Sequence, residues 1–114
     1  MFLGLRTIIY PAPNLAESKA FYTKLLGFPP YFDEPFYVGF NVGGYELGLV
    51  PDATTTDTLW GVANIQEAWK SMLEKGARPH REPKEVGGGI WVASLFDPHG
   101  NPIGIIENPH FKLP

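Results

Sequence analysis

The sequence predicts an α+β fold built from two βαβββ modules. Two observations predict it. A helix-start motif occurs twice, Asn14-Leu15-Ala16-Glu17 and Asn64-Ile65-Gln66-Glu67, fifty residues apart. Each copy sits between one β-rich run and a later pair of β-rich runs joined at a turn, so one supersecondary unit is repeated. The modules are expected over 1–50 and 57–110, with the polar linker 51–56 between them, in a single domain spanning 1–114. A half of about 50 residues buries too little surface to stand alone. Packed together, or across a dimer, two halves bury enough.

The first strand is read in Thr7-Ile8-Ile9-Tyr10, which is β-branched and aromatic. Asn14 then caps a helix by accepting from free backbone N–H groups, and Glu17 is spaced to reach back, as in a capping box. Ser18, Phe21, Tyr22 and Leu25 recur at helical spacing, and Gly27 suits a left-handed C-cap. After Pro29-Pro30 comes a short strand around Tyr31-Phe32, the least defined of this half. Phe36 to Phe40 then runs into Gly43-Gly44 and returns as Tyr45 to Val50.

The second half repeats this order. Thr58 to Val62 reads as a strand and Asn64 as a cap. Ile65, Ala68, Trp69, Met72 and Leu73 form a single apolar stripe, with Trp69 and Met72 expected in the core, before Gly76 ends the helix. A weakly defined strand is placed near Arg78 to His80. Ile90 to Phe96 runs into Asp97-Pro98-His99-Gly100-Asn101, strong turn chemistry, and returns as Ile103 to Ile106.

Composition narrows the function classes. At 44% hydrophobic residues the chain is globular rather than disordered. With no Cys it has no thiolate metal site and no Cys nucleophile, and it suits a reducing compartment. A net charge of −3 with scattered basic residues predicts neither a nucleic-acid nor a membrane partner. No apolar run approaches the roughly 20 residues of a membrane span. Met1 to Arg6 lacks the pattern of a secretory signal, so a cytoplasmic protein is expected. There is no Gly-x-Ser-x-Gly elbow. Gly87-Gly88-Gly89 precedes a strand rather than a helix, so it reads as a flexible loop beside a pocket. His80, His99 and His110 fall in a connection, a turn and the tail, and read as exposed loop residues with no shared spacing.

The order of elements, the Asn14 to Ser18 segment with Phe21-Tyr22 and Leu25-Leu26-Gly27-Phe28, and the Asp97 to Asn101 turn together carry a resemblance. The chain resembles the vicinal oxygen chelate superfamily, which includes glyoxalase I, extradiol dioxygenases, bleomycin-resistance proteins and fosfomycin-resistance enzymes. The resemblance covers essentially the whole chain. It implies mixed sheets that curl, with helices on the convex face and a ligand on the concave face, and two-fold dimers. Metal-dependent members would place ligands on the first and last strand of each module. Carried over motif by motif, those positions fall on Thr7, Gly48, Asp57 and Gly104. Only Asp57 offers a ready donor, so neither a metal nor another cofactor is expected. A different register puts Glu46 at the Gly48 position and leaves Glu46 with Asp57.

Glu46 is also the one candidate catalytic residue: a general base if desolvated, or an ordinary strand-edge carboxylate in water. Parity on the last hairpin, with Leu95, Ile103 and Ile105 under the helices, turns Val92, Ser94, Phe96, Gly104 and Ile106 toward the ligand. The expected pocket joins these to Thr7, Ile9, Val38, Phe40, Glu46, Gly48 and Asp57. Such a mostly apolar lining suits an aromatic or amphipathic organic ligand. The leading expectation is therefore a metal-independent small-molecule-binding protein that forms a homodimer. The alternative is a glyoxalase- or dioxygenase-like lyase, isomerase or oxygenase around Glu46 and Asp57. The tail Asn108 to Phe111 reads either as an arm across a partner or as a frayed end.

Overall fold

A computed structural model describes residues 2–111. In chain order the elements are β1 (Phe2–Pro11), α1 (Leu15–Leu26), β2 (Phe32–Glu34), β3 (Tyr37–Val42), β4 (Tyr45–Val50), β5 (Asp57–Val62), α2 (Ile65–Glu74), β6 (Arg78–Glu85), β7 (Trp91–Phe96) and β8 (Pro102–Glu107). This is the α+β, twice-βαβββ order expected, with the two weakly defined strands present as β2 and β6. No helix among the described residues is long and apolar enough to cross a membrane.

The chain divides into two compact units. One comprises Thr7–Thr56; the other takes residues 57–111 together with 2–6. The division therefore falls inside β1, not before it: Phe2 packs edge-on against Trp60 at 5.1 Å, and the Arg6 guanidinium lies 3.9 Å from the Phe111 ring centroid. The tail reaches Phe111 by folding on its own chain, with His110 Nε2 2.7 Å from the carbonyl oxygen of Gly88.

In the 7–56 unit the strand order is β2-β3-β4-β1. β1 runs parallel to β4, while β3 is antiparallel to both β2 and β4. The β3–β4 hairpin turns at Gly43 and Gly44, both with positive φ (63° and 93°), which a side chain would oppose. α1 begins at Asn14, whose side chain accepts from the Glu17 backbone N–H. The return bond of the capping box goes from the Asn14 side-chain amide to Glu17 Oε2, not from the backbone. Gly27 closes the helix at φ 85°. The core is Ala12, Val38, Phe40 and Leu49, packed by Leu15, Tyr22, Leu26 and Leu47. α1 thus contacts the sheet through Leu15, Tyr22 and Leu26. Phe21 and Leu25, expected on the buried stripe, are exposed (57% and 64%), because α1 rests on β4 along a neighbouring row of side chains.

In the second unit the order is β5-β8-β7-β6, with β5 parallel to β8 and the hairpins antiparallel. Asn64 caps α2 by accepting from Glu67 N–H, and Glu107 of β8 accepts from Ile65 N–H. The core is Val62, Ile65, Ala68, Met72, Ala93, Leu95 and Ile105. Trp69 packs against it but stays half-buried. The β7–β8 turn is tied by Asp97, whose Oδ1 accepts from His99 and Asn101 N–H and whose Oδ2 accepts from the Asn101 amide. These bonds, those from Asn101 foremost, hold the Asp97 carboxyl below its usual range.

Candidate functional site

Strand alternation sorts each sheet into a helix-covered face and an opposite face. In the 7–56 unit, Leu47 and Leu49 of β4 and Val38 and Phe40 of β3 pack on the α1 side. Their alternates therefore face away: Glu46 and Gly48 on β4, Tyr37 and Gly39 on β3, Thr7 and Ile9 on β1. Registration completes the grouping, with Thr7 beside Glu46, and Ile9, Gly48 and Gly39 in one row. Val38 and Phe40 are thus core residues under α1 rather than lining. The expected lining included them, but β3 alternates like the other strands and turns them to the α1 side.

On this opposite face three hydroxyls converge on one carboxylate. Glu46 Oε1 accepts from Thr7 Oγ1 at 2.9 Å and from the Tyr37 hydroxyl at 2.7 Å. Glu46 Oε2 accepts from the Tyr31 hydroxyl. Thr7 is the one buried polar residue among the described residues, at 5% exposure, and Glu46 satisfies it. Glu46 is half-buried on an interior strand, so it is neither an edge carboxylate nor surrounded by water. Burial, then Glu46, push the Tyr37 phenol far above its ordinary value, and the same two causes raise Tyr31. Both phenols therefore stay protonated and donate. The cluster depends on small neighbours: a Cβ on Gly39 would lie 2.8 Å from Glu46 Oε2, and one on Gly48 would collide with the Tyr37 hydroxyl and Ile9 Cδ1. The pairing of Thr7 with Glu46 was within reach of the sequence. Tyr31 was not, because it sits in the irregular segment before β2, where its backbone N–H donates to Gly39 O at 3.0 Å; Tyr37 follows from the alternation of β3 once Val38 and Phe40 lie under α1.

The second unit shows the same geometry with other side chains. Ala93, Leu95 and Ile105 lie in the core against α2, with Ile103 packed beside them. Val92, Ser94, Phe96, Gly104 and Ile106 take the opposite face, as the parity argument expects. Leu59, Gly104 and Ser94 form one row, matching Ile9, Gly48 and Gly39 in the first unit. Gly48 and Gly104 thus occupy equivalent places, both turned away from a helix. A Cβ on Gly104 would run into Leu59 and come within 2.5 Å of the Thr58 carbonyl oxygen. Asp57, at the start of β5, is half-buried and belongs to this unit, whereas Glu46 belongs to the other. His80 is not a loop residue. It lies on β6, stacked on Phe96 at 4.4 Å and 28°, with Nδ1 3.0 Å from Ser94 Oγ.

The metal-ligand positions offer few donors. In one unit the pair is Thr7, whose hydroxyl is committed to Glu46, and Gly48, whose missing side chain is replaced in space by Tyr37. In the other the pair is Asp57 and Gly104, where Leu59 crowds the glycine. No group of three His, Cys, Asp or Glu side chains that could hold an ion occurs among the described residues. The residues present do not fit a divalent metal.

Comparison with known proteins agrees with this architecture. The family model of the glyoxalase/bleomycin resistance protein/dioxygenase superfamily matches residues 4–105, and the chain belongs to that superfamily. No curated protein matches the chain. Among solved structures, a methylmalonyl-CoA epimerase from Streptomyces coelicolor is similar over 100% of both chains, at TM-score 0.77 and 17% identity. A protein described as an NAD-dependent benzaldehyde dehydrogenase from Legionella pneumophila has TM-score 0.74 and 20% identity, covering 88% of this chain and 96% of that one. A superfamily member from Vibrio splendidus 12B01 has TM-score 0.67 and 18% identity, covering 90% and 97%. At these identities the likeness is one of fold.

Proposed function

We propose that this protein binds a small organic molecule without a metal, holding an aromatic or amphipathic compound against a sheet face turned away from the helices. It acts in the cytoplasm and pairs with a second copy of itself. The observation that carries the reading is Gly48: the position that would supply a ligand has no side chain, and the Tyr37 hydroxyl stands where one would go. The catalytic alternative around Glu46 and Asp57 has less support. A general base needs a lone pair aimed at substrate; three of the four lone-pair positions of the Glu46 carboxylate already accept, from Thr7, Tyr37 and Tyr31, which leaves one on Oε2, and Asp57 lies in the other unit. The fold itself is neutral, since it hosts several chemistries as well as binding.

Elemental analysis of the purified protein, a melting screen against divalent ions and native mass spectrometry test the proposal together. The expected result is no stoichiometric metal, no ion-dependent rise in Tm, and a retained organic molecule. A metal bound at one per chain would overturn it.

A further inference from the structure

The chain carries a net charge of −3, yet three of its nine Lys and Arg residues lie on the eight-residue strand β6: Arg78, Arg81 and Lys84. Simple alternation would send Arg78 and Lys84 to one face and Arg81 to the other. That does not happen, because β6 slips register between Pro79 and Arg81 and again between Arg81 and Lys84. An extra residue in a strand turns the side chains after it to the other face. Arg78 therefore lies across from Phe96, Arg81 across from Ser94, and Lys84 across from Val92. Those three residues share the β7 face turned away from α2. Two irregularities thus gather three cations onto one face, beside Gly104 and Ile106.

His80 is the residue inserted at the first irregularity, and it stacks on Phe96. The Arg78 guanidinium lies 5.8 Å from the same ring. Among the described residues the one ion pair is Lys19–Asp33, so none of the three cations has a carboxylate partner. Glu85 lies across from Trp91, on the other face, and accepts from Gly89 N–H; Glu82 falls in the second irregularity. β6 ends the strand order, and charges on an edge strand deter unwanted pairing. That role is served by charges on either face and gives no reason to collect them on one.

We infer that this face of β6 and β7 is an oxyanion site. It takes the carboxylate or phosphate of an organic ligand whose apolar part lies along Val92 and Ile106. Guanidinium groups pair with such oxyanions through two parallel N–H bonds, and the Lys84 ammonium adds a point charge. The inference rests on the proposal of an organic ligand and narrows it to an anionic one.

Calorimetric titration with 2-naphthoate, 2-naphthyl phosphate and the neutral 2-naphthylmethanol tests it. At least one anion is expected to bind about tenfold or more tightly than the alcohol, as charge-assisted bonds would give, and to weaken as salt is added. The preference between the two anions identifies which oxyanion the site takes. The double variant Arg81→Gln/Lys84→Gln is expected to lose that advantage while binding the alcohol unchanged. Both residues are exposed, and circular dichroism of the variant, or of Arg81→Gln alone, checks that it is folded. If the alcohol binds as tightly as the anions, or the folded variant keeps its preference for the anion, the oxyanion site is refuted and the organic-ligand proposal stands. If no probe binds, the oxyanion site is refuted as well, and the organic-ligand proposal is then decided by the retained molecule in native mass spectrometry.

Discussion

Tyr37 stands where a side chain at Gly48 would go, and the two residues explain each other. The phenol needs the space, and the glycine leaves it room to donate to Glu46. This mutual fit makes a pH dependence. Burial first, and Glu46 second, raise the ionisation of Tyr37 and Tyr31 above the ordinary 10.0. A group whose folded pKa is raised contributes stability that is fully present below its unfolded value and is lost as pH rises beyond it. Stability is therefore expected to decline above about pH 10. Tyr37→Phe should soften that decline and, by removing one donor to Glu46, cost about 1–2 kcal/mol at neutral pH. Urea unfolding of both proteins across the alkaline range checks this, and parallel curves would refute it. In the sequence, motif spacing placed Thr7 and Gly48, while Glu46 entered as the alternative to Gly48 on the same strand parity. The sequence hid Tyr31, because a hydroxyl reaching a carboxylate from an irregular segment leaves no periodic trace, and Tyr37 emerges only once the packing of Val38 and Phe40 under α1 sets the parity of β3.

Elements were legible wherever local chemistry acts over a few residues. Both Asn caps, Gly27, the Gly43-Gly44 turn and the Asp97 turn lie where the sequence put them, because each satisfies its own backbone groups. The packing face of α1 was not legible. Apolar residues surround more than one row of that helix, and only the sheet decides which row is buried. Phe21 and Leu25 lost to Leu15 and Leu26 for this reason. α2 has one stripe and gave one answer. Met72, 6% exposed in the core, is expected to cost about 2–5 kcal/mol on change to Ala. Trp69, only half-buried, should cost less than its size suggests. Thermal or denaturant unfolding of the two variants orders them, and a Met72→Ala effect below that of a surface site, about 0.5 kcal/mol, would mean the stripe is misassigned.

At the scale of the molecule, several large apolar residues of the 7–56 unit are exposed, among them Ile8, Tyr10, Phe21 and Leu25. Tyr10 meets Tyr22 at 6.2 Å and Tyr22 meets Phe21 at 5.0 Å, with Leu25 one turn further along α1 and Ile8 on the same face of β1 as Tyr10. Such a contiguous patch differs from the scattered exposed apolar residues of ordinary surfaces. A C2 homodimer burying more than about 1,000 Å² is the expected outcome. Light scattering at micromolar concentration checks it, and a single 12.6 kDa species would refute it. Phe21→Glu should then shift the equilibrium to monomer. The repeat made the two modules legible in the sequence. The division inside β1 was not, because a strand that continues without a break carries no local sign that its ends belong to different units.

That division within β1 also bears on how the chain folds. Residues 2–6 belong with 57–111, so this unit is interrupted by the whole of Thr7–Thr56. Bringing Phe2 to Trp60 or Arg6 to Phe111 means closing a covalent loop that contains the other unit entire. Closure entropy rises with the logarithm of loop length and must be met before the contacts it permits return anything. If the contiguous unit condenses first, the loop is already compact and the closure is correspondingly cheaper. Docking of the short segment from Phe2 to Arg6, which depends on that closure, is therefore expected to follow formation of the contiguous 7–56 unit.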